Sequence, residues 1–332
     1  MSARRLLLAA SAALLLAGCG DRTSIQRGGR VSGMTMSVFS ILPLTGAHAR
    51  AAADIVRGEK LALAQAGGRV GELTVNFASL DEPEDPAAVA TVVREAIRDQ
   101  SIIAVIGDLD SRSARVSAPL LNAGGILHVS PGAGATITAE PSGTRSFSAL
   151  VPSDQVQAAA IARVARGKVA VEAEGGEAAQ ALADAIQAQV GGTVGTGQAD
   201  TVVYAGSDPV NARGVVEGVL AENPRARVLL PQELWSTDLP DSLRGRARVR
   251  FVTTVPATGP PGFDAAFRRA YPGLAPGPHA QVGWSAMRAV LAAIRRAGPR
   301  AQNRQAVIDA YFAADPVQRA DAQPFRWTPQ GR

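Results

Sequence analysis

The sequence predicts an α/β protein of two doubly wound parallel-sheet lobes, with the chain passing between the lobes more than once. Three observations carry this reading. Short β-branched runs alternate with Ala-rich amphipathic stretches from Thr35 onward, and these runs fall into two series of about four. The last part of the chain then returns to helix-like sequence with little strand pattern of its own. Strands separated by single helices need right-handed crossovers, which bury a parallel sheet between two helical layers.

The first series places strands at 35–42, 73–80, 102–106 and 126–129, with helices at 51–66, 85–99 and 112–122. The second places strands at 168–172, 201–205, 227–230 and 249–254, with helices at 153–166, 177–190 and 209–222. A Pro/Gly-rich break at 256–261 precedes helices at 262–270, 280–297 and 302–312. Lacking strands of their own, these helices are expected to pack back on an earlier sheet. The division is therefore 34–150 plus about 256–313 for one lobe, and 151–255 plus about 314–332 for the other. No internal repeat is visible.

The N-terminus addresses the compartment. Arg4 and Arg5 precede an apolar run at 6–17, and Leu16-Ala17-Gly18-Cys19 closes it. That run is too short to span a bilayer, which takes roughly 20 residues, and it fits a signal peptide over 1–18. Leu-Ala-Gly-Cys resembles the bacterial lipoprotein lipobox, which implies that Cys19 becomes the lipidated first residue of the mature chain. The polar, Gly-rich stretch up to residue 33 suits a tether over 19–33. Membrane association is thus expected through the lipid alone.

Composition excludes several classes. With 46% hydrophobic and 19% charged residues among 332, the chain can bury a core and is not globally disordered. One cysteine excludes an internal disulfide, a cysteine-built zinc site and an iron–sulfur cluster. The three histidines, His48, His128 and His279, are too far apart in sequence to suggest a metal site. The net charge of +5 comes from arginines scattered along the chain, Lys60 and Lys168 being the only lysines. Cleavage before Cys19 would remove Arg4 and Arg5 and no acid. No basic stretch is interleaved with aromatics, so nucleic-acid binding is not expected. Nor is an enzyme. There is no Gly-x-Ser-x-Gly elbow, no His-Glu-x-x-His, no Walker loop and no Gly-x-Gly-x-x-Gly. A Ser111, His128 and Asp108 triad fails because His128 lies inside an apolar strand. No cofactor and no metal are expected.

In open α/β sheets, ligands bind beyond the carboxyl ends of the strands, so the strand-to-helix loops are the candidate sites. After the strand at 102–106, Ser111 is placed as the N-cap of the next helix. There it serves either as a plain cap or, with the amides behind it, as an anion holder. After the strand at 126–129, Ser130-Pro131-Gly132-Ala133-Gly134-Ala135-Thr136 has small side chains that leave amides open to a ligand. In the second series, Gly206-Ser207-Asp208-Pro209 and Pro231-Gln232-Glu233-Leu234-Trp235 occupy carboxyl ends. Glu233 is either a solvated loop carboxylate or a cation partner. Should both lobes face one cleft, an anion site opposite a carboxylate would suit a zwitterion.

Leu44-Thr45-Gly46, Gly58-Glu59-Lys60-Leu61-Ala62, Asp85-Pro86, Val105-Ile106-Gly107 with Ser111, Ala118-Pro119 and the run Gly125 to Ala133 together resemble the leucine/isoleucine/valine-binding proteins. These are type I periplasmic binding proteins, substrate-binding lipoproteins of ABC transporters. The resemblance covers most of 37–255 and, more loosely, the helices up to Phe312. It implies two lobes joined by three crossovers that close on a small amino-acid-like ligand, an ABC permease as partner, a periplasmic location on a bacterial membrane, and a monomer. Position by position, it implies that Ser111 holds the ligand carboxylate and that Gly132 and Ala133 belong to the loop contacting both ends. Gly134 falls at a threonine position, with Thr136 nearby. Glu233 would pair with the ligand ammonium, and Ser207 lies where an aromatic is frequent. The sequence departs from the family at Ala51-Ala52, where a tyrosine-glycine pair is usual, and at residues 172–176, where an aromatic is missing. Trp235, His279 and Trp284 are candidate replacement surfaces, or packing and rim residues. The missing rings leave a second reading open, an envelope lipoprotein of the same fold that regulates other proteins without a ligand.

Overall fold

The computed structural model of the chain describes residues 29–133, 141–150, 153–236, 239–253, 260–314 and 325–327. The signal peptide, Cys19, Gly134 and Thr136 lie outside the described residues. The first part of the chain runs β1 (Thr35–Leu42), α1 (Ala49–Gln65), β2 (Arg69–Val70), β3 (Leu73–Asp81), α2 (Pro86–Arg98), β4 (Ile102–Ile106), α3 (Ser111–Ala123), β5 (Leu127–Ser130) and β6 (Phe147–Ala149). These strands form one sheet in the order β2-β3-β1-β4-β5-β6, parallel except for the short β2, which pairs antiparallel to β3. The second part runs α4 (Asp154–Val164), β7 (Val169–Ala173), α5 (Glu177–Val190), β8 (Thr201–Ala205), α6 (Pro209–Glu222), β9 (Arg227–Leu230), α7 (Leu239–Ser242) and β10 (Val249–Thr253). Then follow α8 (Phe263–Ala270), α9 (Pro278–Ala297), α10 (Arg304–Phe312) and β11 (Phe325–Trp327). The second sheet is ordered β11-β10-β9-β8-β7, with β11 alone antiparallel.

The two-residue alternation of strands sorts side chains onto the two faces of each sheet. On β4, Ile103 and Ile106 join the core under α9 and α10, whereas Ile102 and Val105 join the core under α2 and α3. On β8, Val202 and Tyr204 pack under α6, whereas Val203 and Ala205 pack under α4 and α5. Both sheets are thus covered on both faces, which explains why their strands read as nearly continuous apolar runs. The chain passes to the second sheet after β6, returns to the first through α8–α10, and pairs β11 with the second sheet again.

α1 and α9 approach through glycines. A Cβ on Gly58 would lie 1.9 Å from the Ala280 carbonyl oxygen, and one on Gly283 would lie 2.1 Å from that of Ile55. The helix axes can come this close only where both side chains are hydrogen. At the opposite end of the first sheet from its ligand loops, Val31 is buried. Its amide donates to Gln302 O at 2.8 Å, and Arg30 bridges to Asn303. The buried Arg304 guanidinium donates to Ile102 O at 2.9 Å and toward the carbonyls of Asp99, Gln100 and Gly124. Of the stretch read as a tether, residue 31 is therefore already part of the packed lobe.

No helix among the described residues is long and apolar enough to cross a membrane. The glycine crossing supplies a test of packing. Gly283→Ala is expected to cost about 2–4 kcal/mol, because neither backbone can retreat without opening the core. By contrast Gly214→Ala, on the open face of α6 with nothing within 4 Å, should gain about 0.5–1 kcal/mol from helix propensity. Thermal unfolding of the two variants should therefore move in opposite directions.

Candidate functional site

In the first sheet the strand order reverses at β1, with β3 on one side and β4 on the other. The loops after β1 and β4 consequently diverge and leave a crevice at the carboxyl ends. The rim is built tightly. A Cβ on Gly107 would lie 2.3 Å from Ile41 O, and one on Gly132 would lie 2.0 Å from Leu109 O. Ser130, at the end of β5, joins two of these loops. Its hydroxyl donates to Asp108 O at 2.7 Å and accepts from the Ala133 amide at 2.9 Å. Beneath it His128 is fully buried, with Nε2 donating to Gly107 O at 2.7 Å and lying 3.3 Å from Asp108 Oδ2. Ser117 donates to the other Asp108 oxygen at 2.8 Å. The Asp108–His128 contact thus braces the loop from inside, with Ser117 bonded to the same carboxylate.

The α3 N-terminus corrects one expectation. Asp110, not Ser111, is the N-cap: its carboxylate accepts from the Ser113 amide at 2.8 Å, and Ser111 is the first helical residue. A carboxylate caps at least as well as a hydroxyl and adds a full charge against the helix dipole, so the chain's own anion takes the amide proposed for a ligand. Around this cap sits Glu82, only 4% exposed. Burial and the neighbouring Asp108 and Asp110 carboxylates push its carboxyl well above the usual range. Its Oε2 has no hydrogen-bond partner.

In the second lobe the three loops behave differently. After β7, Glu174 folds over the β8–α6 turn and accepts from the Ser207 amide at 2.7 Å, the Asp208 amide at 2.9 Å and the Tyr204 hydroxyl at 2.9 Å. Ser207 is therefore placed at the sheet edge, with its amide already used inside the protein. Asp208 caps α6 through the amides of Val210 and Asn211. After β9, Glu233 lies half-buried in a 3-10 turn, Gln232–Ser236, and receives both Nε2 bonds of the fully buried Gln157, at 3.1 and 3.2 Å. Burial pushes Glu233 up to about 7, with Asp154 and Asp110 adding repulsion.

These interactions bring the lobes together. Asp110 of the first lobe acts on Glu233 of the second, and His48, after β1, feels both Asp110 and Asp208. At the rim, Arg50 at the start of α1 pairs with Asp241 of α7, which also holds Arg244 at 2.6 Å. Burial shifts His48 below its ordinary value and brings His279 down to about 4, so both imidazoles are neutral near pH 7. Ser111, Gly132, Ala133, Ser207 and Glu233 all stand on carboxyl-end loops. Ala51 and Ala52 are buried inside α1 and packed with Leu42 and Leu109, so that position is core, not loop. Trp284 bonds Gln65 at 2.8 Å and packs against Phe263 and Arg288 on α9, as a structural residue. The sequence reading placed Ser130 in a candidate loop without its bridging role, and it gave no role to Asp110, Gln157 or Glu174. An Asp directly before a Ser-rich helix start was the available sign of Asp110, but nothing local marks the roles of the other residues. Among the described residues, no group of three or more His, Cys, Asp or Glu side chains is placed to hold a metal.

A sequence model of the family described as periplasmic binding protein matches residues 38–230. No curated protein matches the chain in sequence. Among solved structures, the leucine-binding protein LivK from Thermotoga maritima is 18% identical with a TM-score of 0.70, over 83% of this chain and 87% of that one. The branched-chain amino acid transporter substrate-binding protein LivJ from Streptococcus pneumoniae, solved with isoleucine, is 16% identical with a TM-score of 0.69, over 83% and 87%. A solute-binding protein of an ABC transporter from R. palustris, solved with benzoate, is 17% identical with a TM-score of 0.70, over 83% and 85%.

Desolvation of Glu233 has a measurable consequence in the ligand-free protein. The folded state holds this proton more tightly than the unfolded chain. Stability is therefore lost as pH rises from about 4.5 to about 7 and is not recovered above. Glu233→Gln is expected to be more stable than wild type by about 1–3 kcal/mol near pH 8, with the gain vanishing near pH 4.5. Urea unfolding at the two pH values reads this directly, and an equal effect at both would mean the carboxylate is solvated.

Proposed function

The chain belongs to the periplasmic binding protein family, and from that premise we propose that it is the lipid-anchored, extracytoplasmic solute-binding protein of an ABC importer. Its ligand in this reading is an amino acid or a similar small polar, amine-bearing molecule held between the lobes. The observation that carries the reading is the meeting of two carboxyl-end rims, where Arg50 at the start of α1 on one lobe pairs with Asp241 of α7 on the other. A ligand touching both rims stabilises the closed arrangement by its differential affinity for it, and a permease then reads the closed form.

The division of labour follows from the rim. Glu233 receives the ligand ammonium, which restores the ion pairing that burial denies it and draws its pKa back down. Gln157 fixes the orientation of that carboxylate through both oxygens. The loop from Ser130 through Gly132 and Ala133, continuing through Gly134 and Thr136, supplies backbone contacts on the opposite lobe. Ser111 and Ser207 border the cleft from either side. The Arg50–Asp241 pair adds little by itself, since exposed pairs contribute about 0–1 kcal/mol. Closure is accordingly left to the ligand. Cys19 is proposed as the lipidated residue, which puts the protein on the periplasmic face of a bacterial membrane. One observation favours the regulatory, ligand-free reading. Glu174 ties the β7 loop to the β8–α6 turn, and that loop has no aromatic to cover a ligand.

Thermal shift with a panel of amino acids, amides, amines and small carboxylates at millimolar concentration separates the two. Stabilisation by an amine-bearing member supports the importer role, and none by any member supports the regulatory one. With a ligand in hand, Glu233→Gln should weaken an amine by about 1.5–3 kcal/mol through loss of a charge-assisted bond. Calorimetry that finds the affinity unchanged removes Glu233 from the site. Metabolic labelling with palmitate tests the anchor: incorporation should be lost on Cys19→Ala.

A further inference from the structure

We propose that Glu59, Ser40 and Ser79 form a water-binding site sealed inside the first lobe, where ordered water joins α1 to β1 and β3.

The site begins as an interruption of pattern. Every second residue of β1 faces the α1 layer: Met36 and Val38 join one apolar cluster, Leu42 joins another, and Ser40 stands between them. Glu59 holds the matching place on α1. Ile55, one turn before it, belongs to the Leu42 cluster, and Ala62, one turn after it, belongs to the Val38 cluster. Ser40 pairs in register with Ser79 of β3 on one side and Ile106 of β4 on the other. The two hydroxyls therefore stand on one face of neighbouring strands. Three polar side chains thus occupy the seam between two apolar clusters.

None of the three finds a partner among the described residues. Glu59 and Ser40 are 0% exposed, and both Glu59 oxygens, Ser40 Oγ and Ser79 Oγ are buried without a hydrogen bond. Buried oxygens are ordinarily bonded, and each orphan costs stability, so four of them in one seam call for a shared partner. Ser40 lies near enough to Glu59 to ease its ionisation, yet the two make no direct bond. That spacing suits a bridge. α1 is not free to close the gap, because its backbone at Ile55 and Gly58 already abuts α9.

The chemistry selects the occupant. Burial pushes Glu59 up to about 8, so near pH 7 it is the neutral acid, with one O–H to donate and a carbonyl oxygen to accept. The serine hydroxyls can each do either. A buried water makes about three hydrogen bonds and both gives and takes them. A metal cation would need the ionised carboxylate, which burial disfavours. Lys60, on the exposed side of α1, has its ammonium near the Phe77 ring, 5.8 Å from the centroid, and no bond to Glu59. Because α1 also carries Arg50 to the other lobe, a tie at Glu59 fixes the helix on which that rim contact is mounted.

A high-resolution crystal structure of the purified, ligand-free protein tests this. Ordered water should lie within hydrogen-bond distance of the Glu59 carboxyl and of at least one of the two serine hydroxyls. A direct Glu59–Ser40 bond, a dry seam or a metal ion there overturns the inference. Stability reads the same question in solution. Ser40→Ala takes a partner from the water and should lower Tm by about 2–4 °C, whereas deleting a hydroxyl that is merely unsatisfied would raise it. In a Glu59→Met background, where an apolar side chain of similar length displaces the water, Ser40→Ala should no longer lower Tm. A Tm raised by Ser40→Ala in the wild-type chain, or an equal loss in both backgrounds, overturns the inference. Neither the crystal structure nor the single Ser40→Ala comparison depends on Glu59→Met remaining folded.

Discussion

The Glu233 carboxyl, out of water with Gln157 as its support, is the interaction on which the account of the cleft depends. Each part of its setting comes from a different level of the structure. β9 delivers it to the carboxyl end of the second sheet, α4 brings Gln157 against it just after the chain enters the second lobe, and α3 of the other lobe sets Asp110 within electrostatic reach. A buried carboxyl with so little compensation costs stability, and such costs persist where the group has a task. The fold bears the cost because its two sheets, each covered on both faces, supply the burial that holds the rims in place.

Rigidity and freedom are divided along the same lines. Within the first lobe, the Ser130 bridge and the Gly107 and Gly132 contacts fix neighbouring loops against one another, so a ligand meets a preformed surface. Between the lobes, the side-chain link seen at the rim is an exposed arginine–aspartate pair, which is weak in water. Strong loops on weakly linked lobes make a closing device whose equilibrium a small ligand can move. The strap at residues 30–31, anchored by the buried Val31, sits at the far end of the first lobe. A tether leading into it therefore leaves the rims unencumbered.

Much of this architecture was legible in the sequence because it follows from pattern. The strands at 35–42, 102–106, 201–205 and 227–230 have the expected bounds, since each is a short apolar run buried on both sides. β2, β6 and β11 escaped because two or three residues carry no period. The fate of the α3 cap turned on one position. Asp110 and Ser111 are both good caps, and only the backbone geometry says which one faces the amides. The roles of Glu174, Gln157 and Ser130 were invisible for a different reason. Each acts across twenty or more residues of sequence, and nothing in its own neighbourhood announces the partner.

The central claim, that Glu233 is a desolvated carboxyl awaiting a cation, is open to direct observation. Carbon-13 NMR of glutamate side-chain carboxyls, with the resonance assigned by its loss in Glu233→Gln, reports the titration of this group alone. The account predicts a midpoint near 7 in the ligand-free protein and a fall by at least one pH unit when an amine-bearing ligand is saturating. A midpoint at the ordinary value of 4.5 in the free protein, or one unmoved by a bound amine, would contradict it.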